Sequence, residues 1–242
     1  MKAASAAYPA LAANEFLCLS AARRALISVP DFALSDDGQV LILDRFDMVT
    51  RADASTERLG FEDIAALAGL RVRNVLSDRK YHGSYQRIAE LLRKLQLHSN
   101  DLHRFFAQVA FCVMVRNGDA HLKNFGVLYR CASEIWLAPM FDVATTTVYQ
   151  YARYPDGPEM EDHTLALKLF AGKHHTRTYP NRDELLDFGR RICGVSQPDQ
   201  LLASIAEALH ETLAQARQDE RIPAFLLAKM QGVWESGMAY AA

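Results

Sequence analysis

Residues 105–115 constrain this chain more than any other stretch, being apolar throughout except at Gln108. A helix that apolar on every face has to sit at the centre of a fold. Immediately after it comes Arg116-Asn117-Gly118-Asp119-Ala120-His121-Leu122-Lys123-Asn124-Phe125-Gly126. Then Val127-Leu128-Tyr129, a polar turn and Ile135-Trp136-Leu137 predict a hairpin that exits through Pro139-Met140-Phe141-Asp142. Charged and polar groups crowded between two buried elements mark a site more often than a solvated loop.

The remaining pattern is β-containing at the start and mainly helical afterwards. Asn14 reads as the N-cap of a helix over 15–26, with Phe16, Leu19, Ala22, Arg23 and Leu26 on one side. Phe32-Ala33-Leu34 and Val40-Leu41-Ile42-Leu43 flank the turn Asp36-Asp37-Gly38, a hairpin signal. Residues 48–60 read as loop, and 61–70 as a short helix with Ile64 and Leu67 inward. Ser84 is the expected cap of a helix carrying Ile88, Leu91, Leu92 and Leu95, and Asn100-Asp101 of the central helix. Residues 145–158 read as irregular and 164–170 as a strand. Asn181 with Glu184 forms a capping-box pattern, and Pro198 and Pro223 each open a further helix.

Composition excludes some classes. The 242 residues are 50% hydrophobic with a net charge of −2. That gives no electrostatic case for nucleic acid or a membrane surface as partner. No apolar run reaches the ~18 residues of a membrane span, and the N-terminus has no signal-peptide core, so a cytoplasmic location is expected. Cys18, Cys112, Cys131 and Cys193 lack CxxC spacing and read as small buried hydrophobes. The His163, His174 and His175 group lacks companions at ligand spacing and reads as a solvated loop, as does the basic run 173–177.

The central stretch carries chemistry through its spacing. Asp119 and Asn124, five residues apart on a tight loop, can converge on one point. The carboxylate can accept a proton from an attacking hydroxyl, and the amide oxygen can ligate Mg²⁺, a cation that takes oxygen ligands. The hairpin would return Asp142 beside Asn124 as a second metal ligand. His121 and Lys123 fall between them, placed to meet charge on a transferred phosphoryl group. Phosphoryl transfer and metal-dependent hydrolysis both fit these residues. Asp and Asn are also common turn formers, so Asp-x₄-Asn alone would mean little; the joint pattern with the hairpin and Asp142 carries the reading.

The segment from Asn117 to Phe125, with Leu137-Ala138-Pro139-Met140-Phe141-Asp142, resembles the catalytic core of the HipA family of serine/threonine kinase toxins of type II toxin–antitoxin systems. Asn14-Glu15-Phe16-Leu17-Cys18-Leu19, Leu43-Asp44-Arg45-Phe46-Asp47, Gly83-Ser84-Tyr85 and Leu165-Ala166-Leu167-Lys168-Leu169 resemble the family as well. The resemblance implies an α+β, protein-kinase-like fold: a reduced N-terminal β-containing lobe with hinge over 1–47 and a mainly α-helical C-terminal lobe over 48–242. It implies Asp119 as catalytic base, Asn124 and Asp142 as Mg²⁺ ligands, and His121 and Lys123 as catalytic-loop groups, His121 contacting phosphate. Asp44, Arg45 and Phe46 would be the hinge that meets the adenine of ATP. Lys2 would be the ATP lysine and Glu15 its partner; on residues alone Lys2 reads as a surface lysine. A HipB-like helix-turn-helix antitoxin is the implied partner and an aminoacyl-tRNA synthetase the implied protein substrate.

The sequence departs from the family pattern at its start. It has no glycine-rich phosphate-covering loop, its first glycine being Gly38. The chain is therefore expected to be a fragment of a longer kinase, or half of a split one completed by a separate N-terminal lobe polypeptide, and weak or inactive alone. A non-catalytic antitoxin-binding module and a small-molecule kinase are the alternative readings.

Overall fold

The computed structural model describes residues 2–3, 8–152, 159–161 and 163–242, with backbone alone at 2–3, 74–76, 151–152, 159 and 161. The chain opens with β1 (Lys2–Ala3), α1 (Leu11–Arg24), β2 (Phe32–Leu34) and β3 (Val40–Leu43). β3 is central in an antiparallel sheet of order β1-β3-β2, with Leu34 opposite Leu41. The predicted turn closes this hairpin, Gly38 taking a φ of 70° that glycine adopts without strain.

α1 starts earlier than its sequence implied. Ala10, not Asn14, stands at the N-cap, and Asn14 lies inside the helix with its side chain buried. The amide finds its partners across the fold rather than along its own helix. Leu26, expected inward, lies past the helix end at a φ of 58° and is exposed.

Residues 48–60, expected as loop, contain β4 (Met48–Thr50) and β5 (Thr56–Arg58), paired antiparallel. No apolar alternation announces this hairpin. Backbone pairing and the exposed ion pairs of Glu57 with Arg51 and Arg130 accompany it. The expected helix over 61–70 is divided: β6 (Gly60–Asp63) pairs with a later strand, and only α2 (Ile64–Leu67) is helical. The Asp63 carboxylate caps α2 by accepting from the Ala66 N–H at 2.8 Å.

α3 (Tyr85–Lys94) begins at Ser84 as expected, the hydroxyl accepting from Arg87 N. α4 (Ser99–Met114) is capped by His98 rather than Asn100 or Asp101, because the Asp101 carboxylate is buried and accepts from Leu137 N at 3.2 Å. β7 (Gly126–Cys131) and β8 (Glu134–Leu137) form the predicted hairpin, and β6 extends it to the order β6-β7-β8. β9 (Gln150–Ala152) lies within the stretch expected to be irregular and pairs with β10 (Glu159–Glu161) just beyond it; 153–158 lie outside the described residues. Residues 164–170 form no strand, only isolated bridges of Ser84 to Lys168 and Thr164 to Thr178. Leu165, Leu167 and Leu169 are nevertheless buried, so a buried extended segment produced the alternation.

The capping box of α5 (Arg182–Asp187) is present, and α6 (Pro198–Ala216) and α7 (Ala224–Met238) follow their prolines. α1 packs on α6, α6 on α7 and α7 on α4. Gly237 permits the last contact: a Cβ there would lie 1.9 Å from the Met114 carbonyl oxygen. One apolar core runs through all four helices, with Phe105, Phe106 and Phe111 of α4 fully enclosed. Cys18, Cys112 and Cys193 belong to it, and burial pushes each thiol up to about 12. Cys131 differs from its expectation, being exposed at the end of β7, where a hydrogen bond with Ser133 lowers its thiol. Among the described residues no helix is long and apolar enough to cross a membrane.

Candidate active site

α4 ends in a left-handed turn at Arg116, φ 56°, closed by the Asn117 N–H on the Cys112 carbonyl at 2.8 Å. The Arg116 guanidinium lies over the Tyr179 ring at 4.4 Å. Asn117 is buried and its side-chain oxygen accepts from the Asp119 N–H at 3.1 Å, which turns the loop outward at Asp119. Gly118 makes this path possible, since a Cβ would come within 2.7 Å of the Thr164 carbonyl oxygen. The Asp119 carboxylate is consequently exposed, while Ala120, His121, Leu122 and Asn124 around it are buried.

The β7–β8 hairpin closes the second half of the site. The Ala138 N–H donates to the Gly126 carbonyl at 3.0 Å, which returns the chain to the loop. Asn124 Nδ2 then donates to the Asp142 carbonyl oxygen at 3.3 Å. Asp142 holds φ 57°, a left-handed conformation that Asp tolerates better than most residues. Asn124 Oδ1 is buried and has no hydrogen-bond partner among the described residues. An amide oxygen left without a donor beside a carboxylate-bearing residue fits a hard cation such as Mg²⁺, which keeps several of its waters and needs few protein ligands. Among the described residues there is no cluster of three or more His, Cys, Asp or Glu able to hold a metal, so any such site rests on this amide–carboxylate pair.

His121 sits between these groups. Its Nε2 lies 3.9 Å from Asp119 Oδ1, and its buried Nδ1 has no hydrogen-bond partner among the described residues. Burial holds its pKa below the ordinary imidazole value against the opposing pull of the Asp119 charge, and the Lys80 charge lowers it further. The ring is therefore neutral near pH 7, a hydrogen-bond donor rather than a cation. Lys123 is exposed and pairs with Asp63 at 3.0 Å, the same carboxylate that caps α2.

The expected nucleotide side is partly joined to this loop. Phe46 stacks on Phe141, the neighbour of Asp142, and both meet the edge of Phe61. Asp44 and Arg45 are exposed, Arg45 pairing with Asp47. Glu15 is buried in α1, and the placement expected of the Lys2 side chain lies outside the described residues. Asn14 binds the segment after Asp142 at two points: Nδ2 donates to the Thr145 carbonyl at 3.0 Å and Oδ1 accepts the Thr145 N–H at 2.9 Å. Trp234 Nε1 adds a bond to Thr145 Oγ1 at 2.8 Å. Thr146 Oγ1 accepts from Gly118 N and donates to the Arg116 carbonyl, tying this segment to the loop.

Sequence reasoning missed Tyr81. Its hydroxyl donates to Asp119 Oδ1 at 2.7 Å and its ring meets His121 edge-on. Burial and the Asp119 carboxylate hold the phenol protonated, well above its ordinary value. Lys80-Tyr81 lies in a 3-10 segment, Asn74–Tyr81, whose pattern gave no hint of this contact.

A polar loop between a buried helix and a hairpin is the arrangement of a protein-kinase-like fold. The solved HipA of Shewanella oneidensis, in a complex titled as HipA, HipB and operator DNA, shares that fold with a TM-score of 0.66 and 16% identity, over 96% of this chain and 55% of that one. The HipA-like C-terminal domain model matches residues 1–217, and the chain belongs to that family. Among curated relatives, "Putative kinase Y4dM" of Sinorhizobium fredii is 28% identical over 62% of this chain and 37% of its own length. "Putative kinase" of Haemophilus influenzae is 24% identical over 76% and 57%. The chain thus spans about half the length of the curated relatives it matches.

Proposed function

We propose that this chain carries the catalytic centre of an ATP- and Mg²⁺-dependent kinase acting on a serine or threonine hydroxyl of a protein. The observation that carries the reading is the buried, donorless Asn124 oxygen beside Asp142, with the exposed Asp119 carboxylate on the same loop. Asp119 receives the proton of the attacking hydroxyl. Asn124 and Asp142 hold the metal, which when bound neutralises phosphate charge. The neutral His121 donates to a phosphate oxygen. Lys123, in its pair with Asp63, fixes the loop by its far side and is the cation nearest in sequence to the metal ligand. Asp44, Arg45 and Phe46 serve as the hinge between residues 1–47 and 48–242, with Phe46 against the purine; Lys2 and Glu15 complete the phosphate side.

The protein works in the cytoplasm with a HipB-like helix-turn-helix antitoxin as partner, in line with the HipB named in the Shewanella complex. An aminoacyl-tRNA synthetase is the protein substrate by family resemblance. Radiolabelled ATP with cell lysate, run beside metabolite pools, tests this. Label on a protein band that disappears with Asp119→Asn supports the reading. Label confined to a metabolite would replace it with a small-molecule kinase.

A further inference from the structure

A cavity of about 280 Å³ lies where the start of α3 meets residues 168–173. Its lining includes Ser84, Arg87, Lys168 and Lys173, the glycines Gly83 and Gly172, and no carboxylate. The two walls are joined by backbone bonds: Tyr85 N donates to the Lys168 carbonyl at 2.9 Å and Gln86 N to the Leu169 carbonyl at 3.1 Å. The same region touches the catalytic loop twice, through Tyr81 on Asp119 and through the Tyr85 hydroxyl on the Ala120 carbonyl at 3.0 Å.

Three cations gathered without a counter-charge repel one another. Lys168 Nζ donates to the Gly172 carbonyl, but the Arg87 guanidinium and the Lys173 ammonium have no hydrogen-bond or ion-pair partner among the described residues. Ser84 is 2% exposed; its hydroxyl accepts from Arg87 N at 3.2 Å, and its own proton has no acceptor among the described residues. A buried hydroxyl proton on the wall of a cation-lined cavity calls for an acceptor inside it. The N–H groups of the first turn of α3 are already bonded, so the helix end itself contributes little and the side chains have to do the binding.

We propose that this cavity binds a phosphate-class dianion, with the Ser84 hydroxyl, the Arg87 fork and the Lys168 and Lys173 ammonium groups as donors. Linked to the Asp119 loop through Tyr81 and Tyr85, it also serves as a subsite for an acceptor that carries a phosphate group. That second role rests on the phosphoryl-transfer reading; the anion site does not.

Calorimetric titration of the full chain, without ATP or metal, tests the site independently of catalysis. The probes are inorganic phosphate, a glycine-flanked phosphoserine peptide and the same peptide unphosphorylated. Saturable binding of phosphate or phosphopeptide is expected, with the unphosphorylated peptide inert. Arg87→Gln, at an exposed position, and Arg87→Gln with Lys168→Gln should weaken it by about tenfold or more, and Asp119→Asn should leave it unchanged. Phosphate binding without phosphopeptide binding supports the site and identifies the free anion as its ligand; binding of both supports it and identifies the modified peptide. Absence of saturable binding, or equal affinity in the Arg87 variants, overturns the proposal.

Discussion

The rings of Phe46 and Phe141 stack with centroids 5.2 Å apart and planes 30° from parallel. Phe46 follows β3 and Phe141 precedes Asp142, so one aromatic contact links the small sheet to the side of the site proposed to hold the metal. Phe61 closes the cluster from β6.

Truncating Phe46 to Ala should therefore act in two places. Lost apolar burial and stacking at a half-buried ring predict a stability loss of about 1–3 kcal/mol, read by urea unfolding. ATP affinity, read by calorimetry, should fall as well, and Phe46→Leu should recover most of the stability but less of the affinity. Unchanged ATP affinity in Phe46→Ala would remove the hinge from the nucleotide site.

The Tyr81 hydroxyl occupies Asp119 Oδ1, so an acceptor hydroxyl that uses this oxygen as its base competes with the phenol. A phenol–carboxylate bond of about 1.5–3 kcal/mol has to be exchanged before the acceptor can bind productively. Tyr81→Phe should lower the acceptor KM several-fold while ATP binding stays constant. An unchanged or higher KM in steady-state assays would mean that Tyr81 positions Asp119 rather than blocks it.

Asn14 ties α1 to Thr145 through a buried amide that satisfies both backbone groups of that residue. Asn14→Ala strands a buried N–H and a buried C=O, each worth about 1–3 kcal/mol when unsatisfied. Denaturant unfolding should show a loss of roughly 2–4 kcal/mol, far more than an exposed helical Asn would give.

The pKa of His121 is lowered by folding, chiefly through burial. The unfolded chain then takes up a proton at a higher pH than the native one, so stability is full above the ordinary imidazole value of about 6.5 and falls as pH drops toward the native value. Thermal unfolding should occur at lower temperature at pH ~5.5 than at pH ~7.5, and His121→Gln should narrow that difference. An identical pH dependence in the variant would contradict a buried neutral ring.

Local signals were readable from residues alone. The Asn181–Glu184 capping box, the Ser84 cap, both proline-opened helices and the β7–β8 hairpin depend on neighbours within a few positions. So does the convergence of Asn124 and Asp142, because a tight hairpin must bring its two ends together. Contacts set by packing were not readable. Asn14 looked like a helix cap, since an Asn before an apolar run usually is one, yet its partner is 131 residues away. Tyr81 reaches Asp119 across 38 residues, and nothing local marks that meeting. The β4–β5 hairpin escaped because its exposed strands carry no apolar period, and 164–170 misled because burial on an extended path imitates a strand.

The pairing of Asn124 with Asp142 is the relationship on which the proposed metal site depends. Mn²⁺, as a spectroscopic stand-in for Mg²⁺, can be titrated into the protein with ATP present and followed by electron paramagnetic resonance. A bound ion is expected in the wild type, with affinity reduced by about tenfold or more in both Asn124→Ala and Asp142→Asn and no change in Asp119→Asn. Asn is as tolerant as Asp of the left-handed backbone at 142, so that variant isolates the charge. Equal Mn²⁺ affinity in all four proteins would contradict the proposed metal site.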